Sequence, residues 1–221
     1  MSDAQSTPIY LCPRVATPPA IDGSLNDPIW QTVPPVRLVL TQTGQPTGKE
    51  TIIRMCWDDD NLYISYACED EDVWSTHTQR DDPIYNEEVC EAFLCPSRDL
   101  TSYFEINVSP RNVVFDALIF SPKHPKGKKT DVSWDCEGLR TAVVVDGTLD
   151  CRTDKDRAWY AQMSIPFKGL DRPTPKLGEQ WRANLYRIER SPLELQAWSP
   201  TLVDPPNFHV PDRFGTIIFQ Q

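Results

Sequence analysis

A single carboxylate stands in an otherwise apolar stretch of the sequence. Residues 89–95 read Val-Cys-Glu-Ala-Phe-Leu-Cys, and Glu91 is the one charged group among them. Burying a carboxylate in such a setting costs several kcal/mol of folding free energy unless a partner group compensates its charge. Two interpretations stay open: an ion pair with an arginine such as Arg54 or Arg187, and a hydrogen-bond acceptor directed at the hydroxyl groups of a ligand.

Polar and aromatic side chains that suit a sugar accompany Glu91. Glu105 and Asn107 share the polar face of residues 103–108, beside Glu91 if the two stretches pair as strands. Each sugar hydroxyl both donates and accepts hydrogen bonds, which carboxylate and amide groups can satisfy. The C–H faces of a sugar need flat aromatic surfaces, and Tyr85 and Phe208 lie in predicted loops. Each could instead be a plug on the rim of the core, which is the commoner role of a single loop aromatic.

The elements that must position these residues are predicted to be β-strands. The 21 prolines against 9 glycines favour strands with rigid loops over long helices. Residues 103–108 alternate cleanly, with Phe104, Ile106 and Val108 on one face. Ten strands are predicted, at residues 51–57, 62–69, 89–95, 103–108, 113–120, 141–145, 159–165, 181–188, 197–199 and 216–219.

We therefore predict an all-β, two-sheet antiparallel sandwich, immunoglobulin-like or jelly-roll-like, as a single domain over residues 1–221. The polar, proline-rich residues 1–20 are interpreted as an arm lying over it. Residues 26–30 are interpreted as one helical turn with an N-cap candidate at its start, whose Trp30 plugs one end of the core. The aromatic residues expected to be buried are Trp57, Tyr63, Phe93, Phe104, Trp159, Trp181 and Phe214.

Charge and cysteine content argue against several classes of partner. The formal net charge of −10 repels phosphate backbones, so nucleic acid is not expected, and no apolar run reaches membrane-spanning length. The N-terminus shows no basic region followed by an apolar stretch, which predicts a cytoplasmic protein as written, although a trimmed exported chain would begin in the same way. Seven cysteines without a Cys-x-x-Cys pair indicate free thiols and no zinc site.

Catalysis and haem binding are not predicted. Glu87, Glu88 and Glu91 cluster in the sequence, but nothing marks an acid and nucleophile pair of a glycosidase, and no GxSxG or HExxH motif is present. Met55 and Met163 fall at core-like strand positions, which leaves His209 without an obvious opposite haem ligand. No cofactor is predicted, with acidic residues 58–60 and 69–72 as the candidates for a structural calcium ion.

The chain resembles the family nine carbohydrate-binding modules and their wider relatives in the DOMON-like superfamily. The resemblance runs in family order over nearly the whole chain, through residues 21–30, 55–63, 86–93, 103–107, 165–167, 181–189, 198–200 and 208–215. It implies the sandwich fold, a non-catalytic carbohydrate-binding role, and structural calcium in some members.

In the sugar-binding members of this family, two aromatic side chains sandwich a sugar ring at a chain end. One lies six residues before a strand Glu and the other seven before a Phe-Gly glycine, which here are Tyr85 and Phe208. The resemblance thus implies a site of Tyr85, Glu91 and Phe208. We expect Asn184 and Arg187 to help on the cleft floor, and we expect Phe208, as a loop aromatic, to add little to the stability of the core. The family typically has Trp at the sandwich positions.

Glu105 stands where sugar binders can have a basic residue, so the hydrogen bonding to the ligand must differ here. The alternative is a DOMON-like module that lost its sugar and binds another small molecule or a protein partner, because a fold does not dictate a function.

Overall fold

The computed structural model describes residues 6–124 and 126–221, and its regular structure is almost entirely β. The one α-helix of the described residues is the short α1 (Ile29–Thr32). The strands are β1 (Ile9–Cys12), β2 (Pro35–Arg37), β3 (Val39–Leu40), β4 (Thr51–Trp57), β5 (Asn61–Glu69), β6 (Val89–Cys95), β7 (Ser102–Val108), β8 (Val114–Phe120), β9 (Lys129–Asp131), β10 (Arg140–Asp146), β11 (Ala158–Pro166), β12 (Gln180–Arg190), β13 (Leu193–Ala197) and β14 (Gly215–Phe219).

The strands form two sheets that pack face to face. The nine-stranded sheet has the order β1-β14-β12-β6-β7-β8-β9, and β13 and β3 continue it beside the second half of β12. The five-stranded sheet has the order β10-β11-β5-β4-β2. Every ladder is antiparallel except β1 on β14. The predicted two-sheet antiparallel sandwich is confirmed.

The main core lies between the sheets and follows the alternation read from the sequence. Phe104, Ile106 and Val108 of β7 point into it, while Tyr103 and Glu105 point to the other face. All the aromatic residues expected to be buried are at most 7 % exposed, which confirms that prediction: Trp57, Tyr63, Phe93, Phe104, Trp159, Trp181 and Phe214.

The N-terminal segment differs from the predicted arm, because part of it is an edge strand of the larger sheet. β1 pairs in parallel with β14, and Tyr10 and Cys12 are buried. The Tyr10 hydroxyl donates to the carbonyl of Pro34 and accepts from the amide of Met55. Residues 1–5 of the predicted arm lie outside the described residues.

Other differences are local. The short strands β1, β2, β3 and β9 were not predicted from the sequence. The strand expected at residues 197–199 lies earlier in the chain, as β13, which ends at Ala197. Trp30 plugs the core as expected, at 1 % exposure, and the carboxylate of Asp27 accepts the amide of Ile29 at the start of the turn. Among the described residues, no helix is long and apolar enough to cross a membrane.

The outer face of the nine-stranded sheet carries a second apolar cluster. Val89, Phe93 and Cys95 of β6 belong to it, and the C-terminal loops cover it with Phe208 and Phe214. Cys90, Ala92 and Leu94 of the same strand face the main core. The stretch around Glu91 is therefore apolar on both sides because both of its faces are covered.

Candidate functional site

A cavity opens on the outer face of the nine-stranded sheet, at the edge of the second apolar cluster. Its volume is ≈ 550 Å³. Strands β6, β7, β8 and β12 form its floor, and the loops at residues 84–86 and 206–209 border it. Among the residues that line it are four predicted from the sequence, namely Tyr85, Glu91, Glu105 and Phe208, and also Phe115 and His209. We call it the sheet-face cavity.

Tyr85 stands on the rim of the sheet-face cavity. It belongs to a single 3₁₀ turn, Ile84–Asn86, which the buried Ile84 anchors directly before β6. Its ring packs edge-on against Phe115, with centroids 5.2 Å apart and planes at 79°. Arg190 donates to the Tyr85 carbonyl at 3.0 Å. At 40 % exposure, the ring keeps a free surface for a flat ligand.

Phe208 lies deeper than its loop position suggests. Its ring stacks on Tyr186, with centroids 4.1 Å apart and planes at 15°, and only 9 % of the residue is exposed. The Tyr186 hydroxyl donates to the Phe208 carbonyl at 2.8 Å. The expectation that Phe208 adds little to stability is therefore wrong, because one face of the ring is already part of the second apolar cluster.

Asn184 supports the stacked pair of Tyr186 and Phe208 through hydrogen bonds. Its amide donates to the Tyr186 hydroxyl at 2.7 Å and to the Ser199 carbonyl at 2.8 Å, and its oxygen accepts the amides of Leu185 and Ser199. All its hydrogen-bonding groups are thus engaged inside the protein. Asn184 positions Tyr186, and through it Phe208, without lining the cavity.

Two carboxyl groups meet on the floor of the cavity. Glu91 on β6 lies directly opposite Asn107 on β7, and Glu105 is the next residue of β7 on that face. The Asn107 amide donates to Glu105 at 2.9 Å, while its oxygen, although buried, has no hydrogen-bond partner. Neither Arg54 nor Arg187 forms an ion pair with Glu91 in the described chain, so the ion-pair interpretation is wrong.

The environment keeps protons on this carboxyl pair. Burial, reinforced by the nearby charge of Glu105, raises the pKa of Glu91 well above its ordinary value, and Arg190 opposes this only in part. Burial also raises the pKa of Glu105 to about 7, against the hydrogen bond from Asn107 and the charge of Lys128. The pKa of Glu91 thus lies well above the ordinary range of a glutamate, and Glu105 titrates near neutral pH.

His209 is a cavity residue that the sequence suggested only as a haem ligand. Its Nδ1 is hydrogen-bonded to the Tyr103 hydroxyl at 2.7 Å, and its ring lies 5.2 Å from that of Phe93. Burial and the charge of Lys128 lower the pKa of His209 to about 4, so the imidazole is neutral over the physiological range. Its position directly after Phe208 was the one local sign of this role.

Arg187 lies on the opposite face of β12, between the two sheets. It is fully buried, and it donates to Asp70 at 3.0 Å and to Glu189, and lies 3.8 Å from Glu88. Side chains alternate along a strand, so Tyr186 faces the cavity and its neighbour Arg187 cannot. The structure thus separates Arg187 from the other predicted site residues.

The carboxylates that cluster in the sequence, and those that were candidates for calcium, are engaged with other groups of the protein. Glu87 accepts from Thr76, and Glu88 joins the Arg187 cluster, so neither shares the cavity with Glu91. Asp58 accepts two amides of its own turn and the Tyr63 hydroxyl.

Within residues 6–124 and 126–221, two groups of three carboxylates have their oxygens within metal-binding distance of one another, namely Asp70, Glu88 and Glu189, and Asp81, Asp116 and Asp135. Each group already surrounds an arginine. Arg187 lies among the first, and Arg80 contacts Asp116 at 2.6 Å and Asp135 at 2.7 Å in the second. A guanidinium supplies the positive charge that a calcium ion would bring, so these donors do not fit a calcium ion, and we assign none.

Comparison with known proteins places this chain in a family. The sequence profile of carbohydrate-binding family 9 matches residues 40–219. A protein of Arthroderma benhamiae that is called an extracellular protein is 27 % identical over 189 residues, which cover 81 % of this chain and 82 % of that protein.

Solved structures share the fold. A protein of Bacteroides uniformis for which carbohydrate binding is inferred superposes with a TM-score of 0.76 at 16 % identity, over 97 % of this chain and 100 % of that one. Two structures of a family 9 module of Caldicellulosiruptor kristjanssonii, one with cellotriose and one with glucose, give TM-scores of 0.65 and 0.63 at 17 % identity, over 96 % of this chain and 93 % and 94 % of those. The profile covers most of the chain, and the chain belongs to carbohydrate-binding family 9.

Proposed function

We propose that the protein is a non-catalytic carbohydrate-binding domain that holds one sugar ring, at the end of a chain, in the sheet-face cavity. Tyr85 contacts one side of the ring and the accessible part of Phe208 the other, while Glu91 and Glu105 bind hydroxyl groups. The observation that carries the proposal is that these four residues, far apart in sequence, line one cavity. A family 9 module that was solved with glucose and with cellotriose supports it.

The affinity expected for this site is modest. Phe208 is 9 % exposed and Tyr85 40 %, so the aromatic surface is smaller than two open indole rings would provide. A few hydrogen bonds that compete with water add little more, and a dissociation constant no better than about 1 μM is expected.

Calorimetric titration with glucose, cellobiose, xylose and mannose tests the proposal, after a glycan array has ranked the candidates. Tyr85→Ala should weaken the affinity for the best-binding sugar by about tenfold or more, because the most exposed aromatic platform is lost. Tyr160→Ala is the matched control: Tyr160 is a half-buried tyrosine on β11 of the other sheet, and this variant should bind as the wild type does. Sugar binding that survives Tyr85→Ala unchanged would place the site elsewhere.

A second candidate is a module that binds another small molecule or a protein partner. The depth of Phe208, which Tyr186 already covers on one face, favours it. Absence of any response on a broad glycan array, with the protein folded, would support this candidate over carbohydrate binding. Recovery of unchanged sugars after long incubation checks that the carboxyl pair catalyses no hydrolysis.

The cellular compartment is a separate proposal. A cytoplasmic location is one proposal, whereas the Arthroderma benhamiae relative is called an extracellular protein. Fractionation of cells that produce the natural full-length protein distinguishes the two.

A further inference from the structure

The sheet-face cavity contains acidic groups without a cation. Glu91 and Glu105 are the charged residues that line it, and no lysine or arginine of the described chain does. Neither carboxyl group forms an ion pair within residues 6–124 and 126–221. Arg190 and Lys128 act on them only at a distance, and the Arg190 guanidinium is engaged with the carbonyls of Tyr85 and Glu87.

The hydrogen bonding of the pair is also incomplete. Glu91 is 2 % exposed, yet no group of the described chain donates to its carboxyl, and Glu105 accepts one bond, from Asn107. Buried acceptors without donors are unfavourable, so a ligand that brings several donors to this floor gains more than a ligand with a single hydroxyl.

Charge distinguishes the ligands that could supply those donors. A neutral hydroxyl donates one hydrogen bond and does not offset the cost of ionising two buried carboxyl groups side by side. An ammonium group carries three donors and a positive charge, and bonds between ionised partners are about twice as strong as neutral ones. The rings of Tyr85 and Phe115 beside the floor also favour a cation over their faces, and the neutral His209 does not repel it.

We propose that the sugar ring held in the sheet-face cavity carries a protonated amino group, as in a 2-amino-2-deoxyhexose, with its ammonium bound between Glu91 and Glu105. The inference rests on the proposed function and specifies the substrate class of the same site. An amino group replaces a hydroxyl of nearly the same size, so the contacts of the ring with Tyr85 and Phe208 are retained.

Titration of the intact protein at about pH 6.5, where most of the amino sugar is charged, tests the proposal. The probes are matched pairs: glucose with glucosamine, and cellobiose with fully deacetylated chitobiose. The amino sugar of each pair should bind about tenfold or more tightly than its neutral counterpart, and this ratio should fall as ionic strength rises from about 0.05 to about 0.5 M.

Binding should also release protons from the carboxyl pair. The enthalpy of glucosamine binding should then depend on the ionisation enthalpy of the buffer, whereas that of glucose should depend on it much less. Glu105→Gln should reduce the affinity ratio to near one, whatever it does to glucose binding itself. The exposed Glu137→Gln is the matched control and should keep the wild-type ratio. Circular dichroism confirms that each variant is folded, and Glu91→Gln provides a second test.

The possible failures are distinguishable. If glucose or cellobiose binds and its amino counterpart binds equally or more weakly, the amino-sugar inference is wrong and the proposed function stands. If no sugar of either kind binds to the folded protein, the proposed function itself fails. A high ratio that persists in Glu105→Gln and Glu91→Gln would place the ammonium elsewhere and overturn the assignment to this pair.

Discussion

Replacing Glu105 by glutamine should stabilise the protein at neutral and alkaline pH. The side chain is 5 % exposed on the floor of the sheet-face cavity, and its hydrogen bond from Asn107 can be kept by the glutamine oxygen. The variant therefore changes mainly one property, the ability to ionise. Glu91 remains beside it, with one fewer neighbouring charge to oppose its own ionisation.

The expected size follows from the pKa of the buried group. Burial raises the pKa of Glu105 from 4.5 to about 7 in the folded protein. Between these values the unfolded chain loses the proton and the folded one keeps it, so stability falls by about 1.4 kcal/mol per pH unit. The wild type should thus lose up to ~3 kcal/mol between pH 4 and pH 8 that Glu105→Gln does not lose.

Urea denaturation followed by tryptophan fluorescence, at intervals from about pH 4 to about pH 8.5, measures this difference. The two curves of unfolding free energy against pH should run together in acid and separate above about pH 5, with the variant higher. The exposed Glu137→Gln should follow the wild type. Parallel curves for wild type and Glu105→Gln throughout the range would refute the reasoning, because the folded state would then ionise this carboxyl as easily as the unfolded chain does.

Phe208→Ala should lower the free energy of unfolding by about 3–5 kcal/mol, because the Phe208 ring is stacked on the core. Tyr85→Ala should lower it by less than about 1 kcal/mol, and chemical denaturation compares the two variants. Arg187→Met should cost about 3–5 kcal/mol by leaving buried carboxylates without their cation, and an unchanged denaturation midpoint would contradict this account of the cluster. Seven thiols should react in protein that has been unfolded without reductant; a count of five would point to Cys68 and Cys90, whose sulfurs lie 3.5 Å apart between the sheets. Chelation by EDTA should leave the melting temperature unchanged, and recovery of a lost melting temperature by added calcium would show that a metal site had been missed.

Much of the fold followed from local patterns. The period-two alternation of residues 103–108 identified both the strand and the side that enters the core, because a strand with one face in a core needs apolar side chains at every second position. The turn at residues 58–61 joins two strands by polar groups that bond to their own backbone. The short strands β1, β2, β3 and β9 carried no such signal, since two to four residues become strands only through the neighbour they pair with.

For the candidate site, too, the sequence indicated some residues, and only the tertiary structure showed the contacts of others. Residue type indicated Glu91, because an isolated carboxylate in an apolar strand requires an explanation whatever the topology, and the family spacing indicated Tyr85 and Phe208. The sequence could not show that Phe208 is stacked on Tyr186, because that contact joins a loop to a distant strand. It could not show that His209 lines the cavity for the same reason.

Arg187 shows most clearly what the tertiary structure alone decides. In this part of β12, Tyr186 and Ile188 share one face of the strand and Arg187 and Glu189 share the other. Local alternation does not show which of the two faces meets the cavity. The packing of the sheets decided it: Arg187 and Glu189 face Asp70 between the sheets, and Tyr186 faces outward beneath Phe208. Sequence determines which side chains share a face of a strand, because alternation is a property of the backbone. Which face becomes the site depends on what packs against the sheet, and those contacts come from residues far away along the chain.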